Sequence, residues 1–235
     1  MDCNGSSSGH HRIRQASHAG SWYSDDAREL DRQLAEWLER AGQAQGQPAR
    51  AIISPHAGYT YCGETAAYAF KQIVPDRVRP IGSYKIVPVL VGSLSTARQI
   101  SYGKIFAKYV ADPQNLFVIS SDFCHWGNRF RYTPNDPSSG RPIHEQIANL
   151  DQRGMDAIAA LDPPVFSEYL KKTQNTICGR NPICVMLQAA EHFRQMNNHT
   201  AEMRFLRYSQ SNKCRSLNDS SVSYAAGVLF INPKP

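Results

Sequence analysis

NLFVISSDFCHWG, residues 115–127, joins an apolar run to a cluster of chemistry-bearing side chains. Leu116, Phe117, Val118 and Ile119 read as a short buried strand, and its end delivers Asp122, Cys124, His125 and Trp126. A second stretch has the same build. ARAIISPHAGYTY, residues 49–61, reads as a buried strand that breaks at Pro55, with His56 just beyond its carboxyl end. Ligands of open α/β sheets sit beyond the carboxyl ends of strands, so His56 and the Asp122–His125 turn occupy the positions where a site is expected.

Helical periods fill the spaces between these strands. Leu30, Leu34, Trp37, Leu38 and Ala41 fall at helical spacing between Asp25 and Ala41 and predict a helix with one buried stripe. CGETAAYAFKQIV (62–74) and ISYGKIFAKYVAD (100–112) read as further helices, and YKIVPVLVGSL (84–94) as another buried strand, the second in chain order. Helices are expected near 142–161, 163–173 and 182–196, and two strands, AEMRFLRYSQSN (201–212) and SVSYAAGVLFIN (221–232), as sheet neighbours. Alternation of strand and helix gives an α/β class with a mixed, largely parallel central sheet flanked by helices. Residues 1–14 are polar and rich in Ser and Gly and read as a flexible tail. No repeat or linker divides residues 15–235, which read as a single domain.

Composition narrows the function classes. The chain of 235 residues is 41% hydrophobic, enough for a substantial core, and carries a formal charge of +6. Its Lys and Arg residues are scattered and form no basic block, so no nucleic-acid surface is expected and anionic ligands are the secondary possibility. No run approaches the roughly 20 apolar residues that span a bilayer, and MDCNGSSSGHHRIRQ lacks the apolar centre of a signal peptide. The expected compartment is cytoplasmic, with the nucleus also open to it. Six irregularly spaced cysteines, Cys3 and Cys178 among them, then read as free thiols, with Cys62, Cys124, Cys184 and Cys214 acting as small hydrophobes.

Four loops carry chemistry-bearing residues: SHAGSWY (His18, Trp22), PHAGYTYCG (His56, Tyr61), SSDFCHWG (Asp122, His125) and NTICGRNPI (Cys178). Histidine is the common metal ligand and proton carrier near neutral pH, a thiolate favours soft metals, and an aspartate can orient a histidine ring. Each signal has a plainer counterpart. His18 reads as a loop histidine bonded to backbone, Trp126 as core, and Asp122 and His125 equally as site residues or as partners of backbone groups. Cys178, taken alone, is a buried small hydrophobe.

ASHAGSWY, IISPHAGYTYCG, IVPVLVGSL, ADPQNLFVISSDFCHWGNRFRY, YLKKTQNTICGRNPI and DSSVSYAAG together closely resemble the Memo family, mediators of ErbB2-driven cell motility, from Gln15 to Val228. The resemblance implies a fold like that of class III extradiol dioxygenases, in which helices enclose a mixed sheet and a cleft. It implies an adaptor downstream of receptor tyrosine kinases that binds phosphotyrosine peptides in a vestigial cleft and influences microtubules and motility. It also implies a copper- or iron-linked redox activity. Carried onto this chain, the metal ligands are His56 and Cys178, His125 stands at the former general-base position with Asp122 beside it, and Trp22 and Tyr61 line the cleft.

One departure separates this chain from the family pattern. FKQIVPDRVRPIGSYKIVPVLVG, residues 70–92, runs straight across a region where the family carries several tens more residues, including its second metal histidine. A cage of two protein ligands holds copper or iron only weakly, so ring cleavage is not expected and a non-enzymatic adaptor is the favoured reading. A metal-dependent redox protein and an inactive splice or gene-model variant are the alternatives.

Overall fold

A computed structural model of the chain describes residues 15–74, 85–196 and 199–233. The expected tail at 1–14, Cys3 and the first residue of the expected strand at 84–94 lie outside these.

The sheet has five strands: β1 (Ala51–Ser54), β2 (Phe117–Ser120), β3 (His125–Trp126), β4 (His199–Gln210) and β5 (Ser221–Pro233). Among the described residues six α-helices accompany it: α1 (Ala27–Arg40), α2 (Tyr59–Phe70), α3 (Thr96–Ala111), α4 (Ile143–Ala159), α5 (Pro163–Thr173) and α6 (Arg180–Met196). β1 and β2 pair in parallel, Ala51 opposite Phe117 through Ser54 opposite Ser120. Consequently His56 and Asp122 leave the same end of the sheet. β5 pairs antiparallel with β1, β3 and β4, so the order is β2-β1-β5-β3 with β4 along β5.

The expectation of a largely parallel sheet is therefore corrected: the sheet is mixed, and β1–β2 is its one parallel pairing among the described residues. Two causes can be named. β4 and β5, the longest strands described, form an antiparallel pair, and residues 85–94 contribute no strand. Residues 85–95 are irregular, with Ile86 85% exposed and Leu90 fully so. The β-branched run favours a pleated conformation only when a neighbouring strand and a covering layer take up its side chains. β2 consequently stays at the edge of the sheet, with Val118 half exposed.

Alternation along β1 divides the core. Ile53 joins Ile119, Phe123, Trp126, Ile158, Phe166 and Leu187 in the larger cluster, to which α4, α5 and α6 contribute. Ile52 joins Ala69 of α2 with Val228 and Phe230 of β5 on the opposite face. α3 lies tightly on α6: a Cβ at Gly103 would come within 2.4 Å of the Gln188 side chain, so only glycine permits this approach. Asp26 caps α1 by accepting from the N–H groups of Arg28 and Glu29, both at 2.9 Å, a contact worth about 1 kcal/mol. The single buried stripe expected of α1 is half-buried instead, with Leu34 exposed and no residue fully buried. Among the described residues the helix packs chiefly on α2, which covers only part of the stripe.

Residues 86–90 leave a contiguous apolar run in water, a hazard for association. Native protein is expected to bind the dye ANS and to aggregate on concentration. Val87→Lys combined with Leu90→Lys should reduce both while changing unfolding free energy by no more than about 0.5 kcal/mol. A loss of several kcal/mol in that double variant would mean that the run is buried.

Candidate functional site at the carboxyl ends of the parallel strands

Three loops meet where β1 and β2 end. Ser121 donates its N–H to Ser54 O at 3.0 Å, extending the parallel pairing by one rung. Beyond that rung the backbone N–H of His56 donates to Asp122 Oδ1 at 2.9 Å, which fixes the turn after Pro55. The third loop, ahead of α6, comes close because of Gly179. A Cβ there would lie 2.3 Å from Ser121 Cβ, and the Gly179 N–H donates to Ser121 Oγ at 3.0 Å. Cys178 is thereby set against Asp122, its N–H donating to Asp122 O at 3.3 Å and its sulfur accepting from Asp122 N at 3.1 Å.

The outcome is a contact between side chains 122 residues apart in sequence. Cys178 Sγ lies 3.3 Å from His56 Nε2, and His56 Nδ1 lies 2.6 Å from Ser120 Oγ. Asp122 Oδ2 is 3.9 Å from the same Nε2, beyond hydrogen-bond reach, and the carboxylate is itself buried. Bonding to Cys178 raises the His56 pKa above its ordinary 6.5, partly opposed by burial, with the charges of Cys178 and Asp122 adding to the rise. His56 and Cys178 are both exposed, so a ligand can reach them.

Trp22 and Tyr61 flank the same turn. Trp22 O accepts from Tyr59 N at 2.8 Å, and a Cβ at Gly58 would lie 3.5 Å from Trp22 O and 3.8 Å from Tyr61 Cδ2. Both rings are exposed. His125 is held differently. Its Nδ1 faces two carbonyls, Phe123 O at 2.9 Å and Thr176 O at 3.1 Å, and must carry the proton to satisfy them. Its backbone N–H donates to Thr176 Oγ1 at 2.7 Å, and its ring packs edge-on against Phe130. His125 is thus tied to the Cys178 loop by Thr176, while His56, Asp122 and Cys178 meet directly.

Other residues from the sequence fall as follows. His18 bonds to the Ser17 hydroxyl and stacks edge-on with Trp22, where a backbone partner was expected. Trp126 is buried, and Cys62, Cys124, Cys184 and Cys214 are buried free thiols. Cys178 departs from the small-hydrophobe reading because Gly179 pins its loop to the surface-facing end of β2. Ser120 and Thr176 escaped the sequence reading. The Ser-Ser pair ahead of Asp122 was the available signal for Ser120, whereas Thr176 gave none.

Copper or iron would find the sulfur and nitrogen of Cys178 and His56 at a separation compatible with one metal. The donor count is the obstacle. Among the described residues no group of three or more His, Cys, Asp or Glu is placed to hold a metal ion. Asp122 Oδ1 is already engaged by the His56 N–H. These residues do not fit the three-ligand centre of the extradiol enzymes. Hollows of about 420 Å³ beside Gln45 and Phe205 and about 630 Å³ beside Val165 and Tyr169 lie away from His56.

Gly179→Ala should force the α6 loop off β2 and cost about 1–3 kcal/mol of stability in chemical denaturation, the cost of overpacking a tight contact. An unchanged midpoint would mean that the loop does not sit against Ser121.

With this geometry in place, comparison with known proteins gives the relationship. The family model described as Memo-like protein matches residues 14–83 and 76–228. Protein memo-1 homolog of Caenorhabditis elegans is 51% identical over 292 residues, covering 94% of this chain and 83% of that protein. Protein MEMO1 of Xenopus laevis is 44% identical and that of Homo sapiens 41%, each over 293 residues that cover 93% of this chain and 98% of the relative. Identity at this level over nearly the whole chain leaves one conclusion: the chain belongs to the Memo family.

Proposed function

We propose that this chain is a non-enzymatic signalling adaptor that binds phosphotyrosine-containing peptides beside His56 and acts in receptor tyrosine kinase pathways governing motility and microtubules. The observation that carries the reading is the exposed His56 ring, kept more readily protonated by Cys178 and flanked by the exposed rings of Trp22 and Tyr61. A phosphate group offers charge and strong acceptors to an imidazolium, and a phenyl ring offers a face to aromatic neighbours. The net charge of +6 favours an anionic partner. Family membership supports the same role, together with a dioxygenase-like layout whose metal chemistry is not required for binding.

We also infer that the chain lacks an internal segment found in its relatives. An alignment of 292 positions against a chain of 235 residues must leave at least 57 positions without a counterpart here. The family match also breaks into two pieces that meet at residues 76–83. The exposed run at 86–90 follows directly. A skipped exon or faulty gene model accounts for such a gap, and transcript sequencing across codons 71–90 tests it. A transcript encoding only a longer product would make the short chain a gene-model error.

Fluorescence titration with a phosphotyrosyl peptide and its unphosphorylated twin tests the binding reading. The phosphorylated form should bind at least about tenfold more tightly, about 1.4 kcal/mol, and His56→Ala should erase the difference. Because the His56 value is raised, binding should be strong in mild acid and weaken as pH rises through that raised value. Equal affinities for the two peptides would contradict the proposal.

A further inference from the structure

Behind the three loops lies a carboxylate that the binding site does not use. Asp151 of α4 is completely buried. Its Oδ1 accepts from Cys124 N at 3.2 Å, on the loop that carries Asp122 and His125. The same oxygen accepts from Asn175 Nδ2 at 2.9 Å, on the loop that carries Thr176 and Cys178. Its Oδ2 accepts from Tyr208 OH of β4 at 2.9 Å, and that hydroxyl also reaches Ser223 Oγ of β5 at 3.1 Å. Asn175 is anchored further by its bond to Tyr169 OH of α5 at 2.7 Å, which in turn donates to Leu150 O at 2.9 Å.

We infer that Asp151 is the positioning residue of the His56–Cys178 site: one carboxylate oxygen joins the two loops and so fixes where Cys178 meets His56. The inference rests on reading that pair as the site. Chemistry favours it over a purely structural role, because a buried carboxylate bonded only to neutral partners costs stability that an uncharged side chain would not. Burial pushes the Asp151 carboxyl up, to about 6, against the pull of its bonds to Asn175, Ser223, Tyr208 and Cys124 N. The titratable groups facing it are Cys124 after β2, Tyr132, Tyr169 of α5 and Tyr208 of β4. Burial raises all four above their ordinary values, so they stay neutral at physiological pH. Arg153, two residues along α4, acts on Tyr132.

The sign for stability follows. With the folded value above the ordinary 3.8, the stabilising share of Asp151 is full below that value and is lost as pH rises through about 6. Asp151→Asn keeps an acceptor for Cys124 N and Asn175 but removes the charge. It should therefore be more stable than the parent near neutral pH, with the gap closing in mild acid.

The test reads the position of the sulfur directly, as the rate at which iodoacetamide modifies Cys178, followed by peptide mass spectrometry at neutral pH. Asp151→Ala should slow that rate by about fivefold or more, the weight of one hydrogen bond, and Asp151→Asn should restore it to within about twofold. Asn175→Ala, which cuts the Asp151 link to the Cys178 loop together with the bond to Tyr169 OH, should match Asp151→Ala and serves if that variant does not fold, with Tyr169→Phe, which keeps the Asp151 link, expected to stay within about twofold of the parent. Rates within about twofold of the parent in the alanine variants, or an asparagine variant as slow as alanine, would overturn the inference. Peptide affinity measured on the same proteins separates the two readings. Altered thiol rates without any peptide binding would uphold the role of Asp151 and remove the adaptor.

Discussion

Everything at this site hangs on Asp122. Its side chain accepts the His56 N–H, its carbonyl accepts the Cys178 N–H, and its own N–H donates to the Cys178 sulfur. Two loops from distant parts of the chain are thus bonded to one residue of a third. Its carboxylate is buried, and losing the backbone N–H donated to it would leave a buried acceptor without that donor, which costs more than the bond itself contributes.

That clamp decides which effect tunes His56. Asp122 Oδ2 sits 3.9 Å from the ring, whose side chain is 44% exposed, so water screens the ion pair heavily. The sulfur at 3.3 Å and the Ser120 hydroxyl at 2.6 Å are direct contacts and set the ring's orientation. The ring is thus oriented from both nitrogens, exposed and more readily protonated. It lacks the open multi-ligand face of an oxygen-activating metal centre.

Local pattern made much of this legible. His56 and Asp122 could be placed because each follows a short apolar run broken by a turn signal, and parallel pairing then brings such strand ends together. The helices followed from their 3.6-residue spacing. Cys178 stood out as a thiol in NTICGRNPI, but its place beside His56 came only through the family resemblance, because nothing in that stretch shows that Gly179 will let its loop touch Ser121. Asp151 was invisible: a single aspartate in an amphipathic helix carries no sign that it will be buried among Cys124, Asn175 and Tyr208. IVPVLVGSL failed for the opposite reason. Its residues favour a strand, but a strand forms only where a neighbour supplies the other half of its hydrogen bonds.

The thiol–imidazole contact is the central claim, and an NMR titration of the His56 ring nitrogens tests it most directly. The account predicts a pKa above 6.5 in the parent chain that falls on Cys178→Ala, since the sulfur is the largest cause of the rise. A His56 titration that is the same with and without the sulfur would place the two side chains apart and contradict the account.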